Sequence, residues 1–402
     1  MAKSNHTGRL STVFTGVVCL CATLSLAQPS LLPPGPPFTP SGRFGPRTQI
    51  GSIPYFIGAP GAYYLSNTLI QTLPGSAILI GASNVTIDFN GHALIGGGFV
   101  GDSAIALAPG GPWTSIEIHN GHIAMWGGAG IDLFGAPAQA FHIHDLISFG
   151  NTGNGMNIPD GSIVRNVIAS DNAGWGLFVD EYCKVTNCIA LVNDFDGIFT
   201  GFGCHVSDCA TSFNGMDGFA LGPTNVTIGS TAVSNGANGF EVGFNSRVTD
   251  CSASNNGFTG GFGSGFFCPA PSSILGGCAS SNNFNSGFES LILGPTGNSV
   301  HDCIATFNGG VLAPPPFGGD GFTNFITVTD CTANSNTENG IQSAMGSHVF
   351  RNTCNANTGS GIIATGDGNT IQNNHVAFNV AAGINTAAFN PGPGGNMITA
   401  NT

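Results

Sequence analysis

The chain has 402 residues, of which 63 are Gly and only 7% are charged, and its formal net charge is −13. This acidity leaves no basic stripe to displace counterions from a phosphate backbone, which excludes a nucleic-acid partner, and it disfavours strongly anionic substrates unless a metal ion intervenes. Few charges among many Gly and Asn fit neither a helical chain nor a highly charged disordered one, and point to short strands joined by tight turns. In chain order, Lys3 and Arg9 precede an apolar stretch from Val13 to Leu26, and Ser25-Leu26-Ala27 offers the small residues of a cleavage site. Residues 1–27 therefore read as a signal peptide, with cleavage before Gln28 and a secreted or cell-envelope location. The apolar stretch is too short for a membrane span, and no later run is longer. Residues 28–50 read as a Pro-rich linker, carrying Pro29, Pro33, Pro34, Pro36, Pro37, Pro40 and Pro46. Residues 51–402 read as one repeat domain, with 51–80, around Tyr63-Tyr64-Leu65, as its N-terminal cap.

From residue 141 a repeat is plain. Counting from an apolar residue (Ile143, Val164, Val185, Val206, Val248, Leu275, Val300, Val328, Val349, Ile371), Asn follows eight positions on: Asn151, Asn172, Asn193, Asn214, Asn256, Asn283, Asn308, Asn336, Asn357 and Asn379. A coil starting at Val226 carries one extra residue before Asn235. Twelve positions on, Gly precedes an apolar residue, as in Gly155-Met156, Gly176-Leu177, Gly197-Ile198 and Gly218-Phe219. Two earlier coils lie around Val85–Leu94 and Ile116–Leu133. Three strands per coil need three bends. Asn tolerates left-handed backbone at one and can hydrogen-bond the Asn of the next coil. Gly supplies a second bend. Alternating apolar residues point inward and stack on their equivalents. The expectation is an all-β solenoid of roughly thirteen coils, each of about 21 to 28 residues and rising about 4.8 Å. Met397-Ile398-Thr399 reads as the start of another coil with no polar cap after it, an edge open to a partner, to self-association, or to further chain.

The pattern of an apolar residue, then Asp or Asn, then Cys or Asn, then the spaced Asn and Gly-Ile, resembles the right-handed parallel β-helix repeat family with the pectin-lyase-like fold. The stretches Asn84–His92 and Asn120–Ile131 are similar to early coils of its exported bacterial members. The resemblance covers about residues 51–402. It implies a right-handed parallel β-helix and a substrate groove along the strand after each Gly. It does not fix an activity, since the family spans polysaccharide lyases, glycoside hydrolases, uronate epimerases, metal-associated proteins and members without known activity.

Six cysteines, Cys188, Cys209, Cys251, Cys278, Cys303 and Cys331, recur three residues after the apolar start, and Cys183 and Cys204 form a second equivalent pair. Parallel side chains on stacked strands hold Cβ atoms farther apart than a disulfide prefers, so these read as packed thiols. No CxxC marks a zinc site in the mature chain.

Two constellations carry chemistry. On the strands Val85–Asp88, Ile116–His119 and Phe141–His144, the residues between inward apolar ones form an outward column of Asp88, His119 and His144, with Arg165 next. Thr86, Glu117 and His142 form a neighbouring column. Imidazoles and carboxylates so spaced suit a divalent metal or a proton relay, and solvated polar residues on a sheet face make the same pattern. In the groove, Asp196, Asp217, Asp180 and Glu241 are candidate acids, with Asp196 and Asp217 equivalent in successive coils and about 5 Å apart, the spacing of a retaining pair. Trp175, Phe178, Phe199 and Glu181 are candidate substrate contacts. Turn chemistry also accounts for Asp before Gly. Asp145, Asp208, Asp250, Asp302 and Asp330 recur two residues after the start, and calcium between Asp302 and Asp330 would fit, as would a bend preference. Calcium, zinc or copper is admitted as a cofactor, and none is required. Arg165, Lys184, Arg247 and Arg351 supply no basic pair in the groove, against a lyase. Neither an Asp-Pro-His nor a Gly-His-Gly motif occurs. Insertions at 268–272, 291–298, 309–320 and 389–395 flank the groove. The expected function is recognition, with or without cleavage, of extracellular or cell-wall polysaccharide. The alternatives are a structural or adhesive rod and a metal-associated protein.

Overall fold

The computed structural model describes residues 46–134, 139–258, 263–291, 297–310, 319–386 and 395–402. The signal-peptide span 1–27, the linker through residue 45 and most of three of the four insertions lie outside these residues. The described residues form strands and turns with no helix, so none is long and apolar enough to cross a membrane.

Alternation drives every coil. A three-residue strand such as Leu177–Val179 buries its first and third residues and turns the second outward. One coil cannot enclose these apolar residues alone, so coils stack in parallel and bury them against one another. Residues 46–402 make one unit of about 14 turns. Each turn has three faces. The third face is a sheet of 15 strands, and the other two join into one of 27 because Ile116–Ala124, His142–Phe149 and Ile163–Ser170 run through the bend between them. The core column of the third face runs through Phe219, Phe240, Phe266, Phe288 and Phe322, whose rings stack at 4.6 to 4.8 Å.

Val164, Val185, Val206, Thr227 and Val248 are in register on the first face. Thr227, rather than Val226, therefore starts its coil, and the coil has no extra residue. Thr227 is fully buried and its hydroxyl finds no hydrogen-bond partner. Repeat length exceeds the expected range on the first face, where Thr86 and Glu117 pair across 31 residues, and on the third, where Phe288 pairs with Phe322 across the insertion between them. Thr48–Ile50, read as linker, already pair with Tyr63–Leu65, and Tyr55–Ile57 within the expected cap pair with Ile78–Ile80 as an ordinary coil does.

The bends differ from expectation. Left-handed backbone falls two and seven positions after the start and three before it, at residues such as Asp208 (φ 55°), Phe213 (φ 55°) and Gly203 (φ 68°), and not at the repeating Asn or the Gly after it; the Asp column thus sits at a bend, as its bend preference implied. Each repeating Asn from Asn151 to Asn357 is buried and its amide donates to the Asn of the next coil, as from Asn193 to Asn214 and from Asn214 to Asn235, both 2.9 Å. The Gly that follows is there for closeness: a Cβ on Gly197 would stand 2.6 Å from Asn214 Nδ2 and 2.8 Å from the Gly218 carbonyl.

All ten described cysteines are free and buried. They do more than pack. Cys188 N–H donates to Cys209 Sγ at 3.4 Å, Cys209 N–H to Ser230 Oγ at 3.2 Å, and Cys331 N–H to Asn352 Oδ1 at 2.9 Å. Thiol, hydroxyl and amide thus fill one slot, accepting the N–H of the preceding coil. Burial pushes the Cys268 and Cys354 thiols well above their ordinary value, so both stay protonated and inert.

Candidate functional site

On the first face the early strands bring Asp88, His119, His144 and Arg165 into one register, and Thr86, Glu117 and His142 into the next. Ile87, Ile118 and Ile143 point into the core, which forces their polar neighbours outward. The tightest grouping crosses the two columns. Glu117 reaches sideways to His144, with Oε1 3.1 Å from Nε2, and its Oε1 lies 3.6 Å from His142 Nδ1. The His144 Nδ1 meets Asp145 Oδ2 at 2.6 Å. His119 stacks on His144 at 4.9 Å with the two rings nearly parallel, and its Nδ1 is 3.9 Å from Asp88. Asp88 is otherwise engaged, by Arg47 at 2.9 Å and by the Asn120 amide at 3.0 Å.

Electrostatics follow the geometry. Burial holds the His119 and His142 imidazoles below their ordinary value and favours their neutral forms. Burial would raise Glu117, but the His144 hydrogen bond and three nearby imidazoles outweigh it and keep the carboxyl below its usual range. A depression of about 320 Å³ lies alongside, lined by Asn120, His122, Asp145, Ile147 and Asn166 among others.

On the third face, the outward residue of each strand forms one column: Phe178, Phe199, Ala220 and Glu241 are register neighbours. Phe178 and Phe199 stack at 4.6 Å, and Trp175, from the turn before the strand, packs edgewise on Phe178 at 5.2 Å and on Phe195 at 5.1 Å. Phe134, one more partly exposed ring, meets Phe178 at 5.2 Å. Phe134 and Phe195 are members that sequence reasoning missed; neither sits on a strand, so alternation gave no sign of them.

Asp196 and Asp217 are both nearly buried in the turn beside this column. Asp196 Oδ1 accepts the Asp217 N–H at 2.9 Å and its Oδ2 accepts the Trp175 indole N–H at 3.0 Å, so one carboxylate ties two coils and fixes the ring. Asp217 Oδ1 accepts the Asn238 N–H at 2.6 Å. Asp320 accepts the Asn339 N–H in the same way, at 2.7 Å. Burial, then a hydrogen bond with Glu241 and the charge of Asp196, pushes Asp217 up to about 8. Burial also raises Asp196. Asp180 and Glu181 lie past the far end of the strand. Asp180 is raised by burial and by the charges of Asp160 and Glu181.

In the Asp column two residues after the start, Asp145, Asp302 and Asp330 are engaged by protein partners. Asp330 takes Arg351 through both oxygens, and Asp302 meets His301 Nδ1 at 3.0 Å. The five described Lys and Arg residues (Arg47, Arg165, Lys184, Arg247, Arg351) lie on or beside first-face strands, and no described residue of the outward third-face column is basic.

No family model and no curated protein matches this chain. Among solved structures, the A-module of the mannuronan C-5 epimerase AlgE4 of Azotobacter vinelandii is similar over 64% of this chain and 84% of its own, at 14% identity and a TM-score of 0.50. The AlgE6 A-module of the same organism is similar over 85% of this chain and 90% of its own, at 13% identity and a TM-score of 0.39. At such identities the likeness is one of fold. With the parallel three-faced coils, it defines the protein as a right-handed parallel β-helix.

Proposed function

We propose that the protein recognises a neutral polysaccharide outside the cell, through the third face between Trp175 and Glu241. The observation that carries this reading is the partly exposed aromatic group of Trp175, Phe178, Phe195 and Phe199, set directly beside the small Ala220 in the column. Ala220 separates Phe199 from Glu241 in the column. Two coils of rise give a notch of roughly 10 Å along the axis, floored by a methyl group and walled by a ring on one side and a carboxylate on the other. A pyranose can lay its C–H face on Phe199 while a hydroxyl donates to Glu241. The indole orientation is fixed in advance by Asp196, which lowers the ordering cost of binding. Acids without a basic residue in this column select against uronates. A leader-like segment 1–27 supports export.

Recognition without cleavage is favoured by the work Asp196 and Asp217 already do as caps of the next coil. Glycan-array binding, with reducing-sugar and unsaturated-product readouts on each hit, tests the reading. Neutral β- or α-glucan-type polymers bind and release no product, and Ala220→Tyr, which fills the notch, abolishes the signal. Selective binding of polyuronates, or an unchanged signal with Ala220→Tyr, overturns the proposal. Product release that falls with Asp217→Asn makes the Asp217–Glu241 pair catalytic.

A further inference from the structure

The cluster on the first face lies on other coils and another face than the proposed glycan notch, and it has the form of a metal centre. We propose that Glu117, His142 and His144 bind a divalent transition ion of the zinc class. Their three ligand atoms lie within 4.8 Å of one another. Zinc bound at about 2.0 to 2.1 Å in a tetrahedron sets its ligand atoms about 3.3 Å apart. The observed separations from Glu117 Oε1, 3.1 Å to His144 Nε2 and 3.6 Å to His142 Nδ1, bracket that value. The ligands need only small side-chain adjustments, because the register of two adjacent strands already fixes them.

The surroundings suit the assignment. Asp145 holds the other ring nitrogen of His144 at 2.6 Å, the arrangement by which a carboxylate fixes tautomer and ring direction of a ligating imidazole. His119 stacks flat on the opposite side of His144 and limits its rotation. Two neutral imidazoles and one carboxylate are the donor set that zinc, copper and nickel accept, and oxygen-seeking calcium does not. Arg165 and Arg47 are the cations nearby; Arg47 is paired with Asp88, and Arg165 stands one coil beyond His144. Three protein ligands leave a fourth position for water, and the partly exposed side chains of Glu117 and His142 leave that position open to solvent.

Isothermal titration of the metal-free purified chain with ZnCl2, checked by the visible absorption of added Co²⁺, tests the site. One ion per chain binds with micromolar or tighter affinity, and Co²⁺ shows an intense four-coordinate band. Glu117→Gln and His142→Ala, both at partly exposed positions, each weaken zinc at least tenfold while the far-ultraviolet circular dichroism stays that of the parent. His301→Ala, on a distant coil, changes affinity less than twofold. No saturable binding at micromolar zinc overturns the proposal. So does unchanged affinity in Glu117→Gln and His142→Ala, or an equal loss in His301→Ala.

Discussion

Three single residues expose the forces that hold a coil. Thr227 sits at a core position where the coils on either side have Val206 and Val248, and its hydroxyl is buried without a partner. A buried unsatisfied hydroxyl costs about 1 to 3 kcal/mol, so Thr227→Val stabilises the protein by about 1 kcal/mol in denaturant unfolding. Asn214 does the reverse. Its amide donates to Asn235 and to the Ala190 carbonyl, and its Oδ1 accepts from both the backbone and the amide of Asn193. Asn214→Ala strands several buried groups at once and costs about 3 kcal/mol or more, in the same measurement. Asp217 carries a pH dependence. Its pKa in the folded chain, about 8, lies above that of an unfolded aspartate near 3.9. The folded form therefore holds the proton more tightly. The stabilisation is fully present below about pH 4 and is lost as pH rises through 8. Asn keeps the acceptor for Asn238 and cannot ionise, so the thermal midpoint of Asp217→Asn rises relative to the parent between pH 4 and pH 9. Parallel curves for the two proteins would remove this role.

At the scale of the strand and its turn, two devices recur, an amide ladder and a close-packed glycine. Gly197→Ala places a methyl group against Asn214 and the Gly218 carbonyl, and overpacking of this kind costs about 1 to 3 kcal/mol. The same elements show what a sequence discloses. The spacing of Asn and Gly, the inward Val column, and the register of Asp88, His119 and His144 are legible because each rests on a period that stacking enforces. The amide ladder of the repeating Asn is legible too, whereas the left-handed bends expected at that Asn and the Gly after it fall elsewhere. The left-handed positions two residues after the start hold mostly Asp, Asn and Gly, in line with the bend preference of the Asp column, whereas those seven after it hold residues as different as Val192, Phe213 and Phe307, which carry no common signal. Thr227 escaped because hydropathy prefers its neighbour Val226 as the buried residue. The union of Glu117 with His144 escaped for another reason: it depends on how far a long side chain leans across columns, and strand register fixes only where that side chain begins.

The whole molecule behaves as a stack in which each coil touches its neighbours alone. Thr327 and His348 are register partners 21 residues apart, so deletion of Val328–His348 removes one complete turn and sets Val349 where Val328 was. The Asn ladder then closes from Asn308 to Asn357, and the shortened chain folds with the circular dichroism of the parent and a midpoint within a few degrees of it. The two candidate faces also separate at this scale. The basic side chains gather along the first face with the Glu117, His142 and His144 cluster, while the third face keeps aromatic rings and acids. On the proposed reading that division leaves the third face to neutral glycan, and the most direct measurement is the affinity of the parent and of Trp175→Ala for the polysaccharide that the array selects. The account predicts saturable binding by the parent and a loss of at least tenfold in Trp175→Ala. Equal affinity in the parent and Trp175→Ala would contradict it.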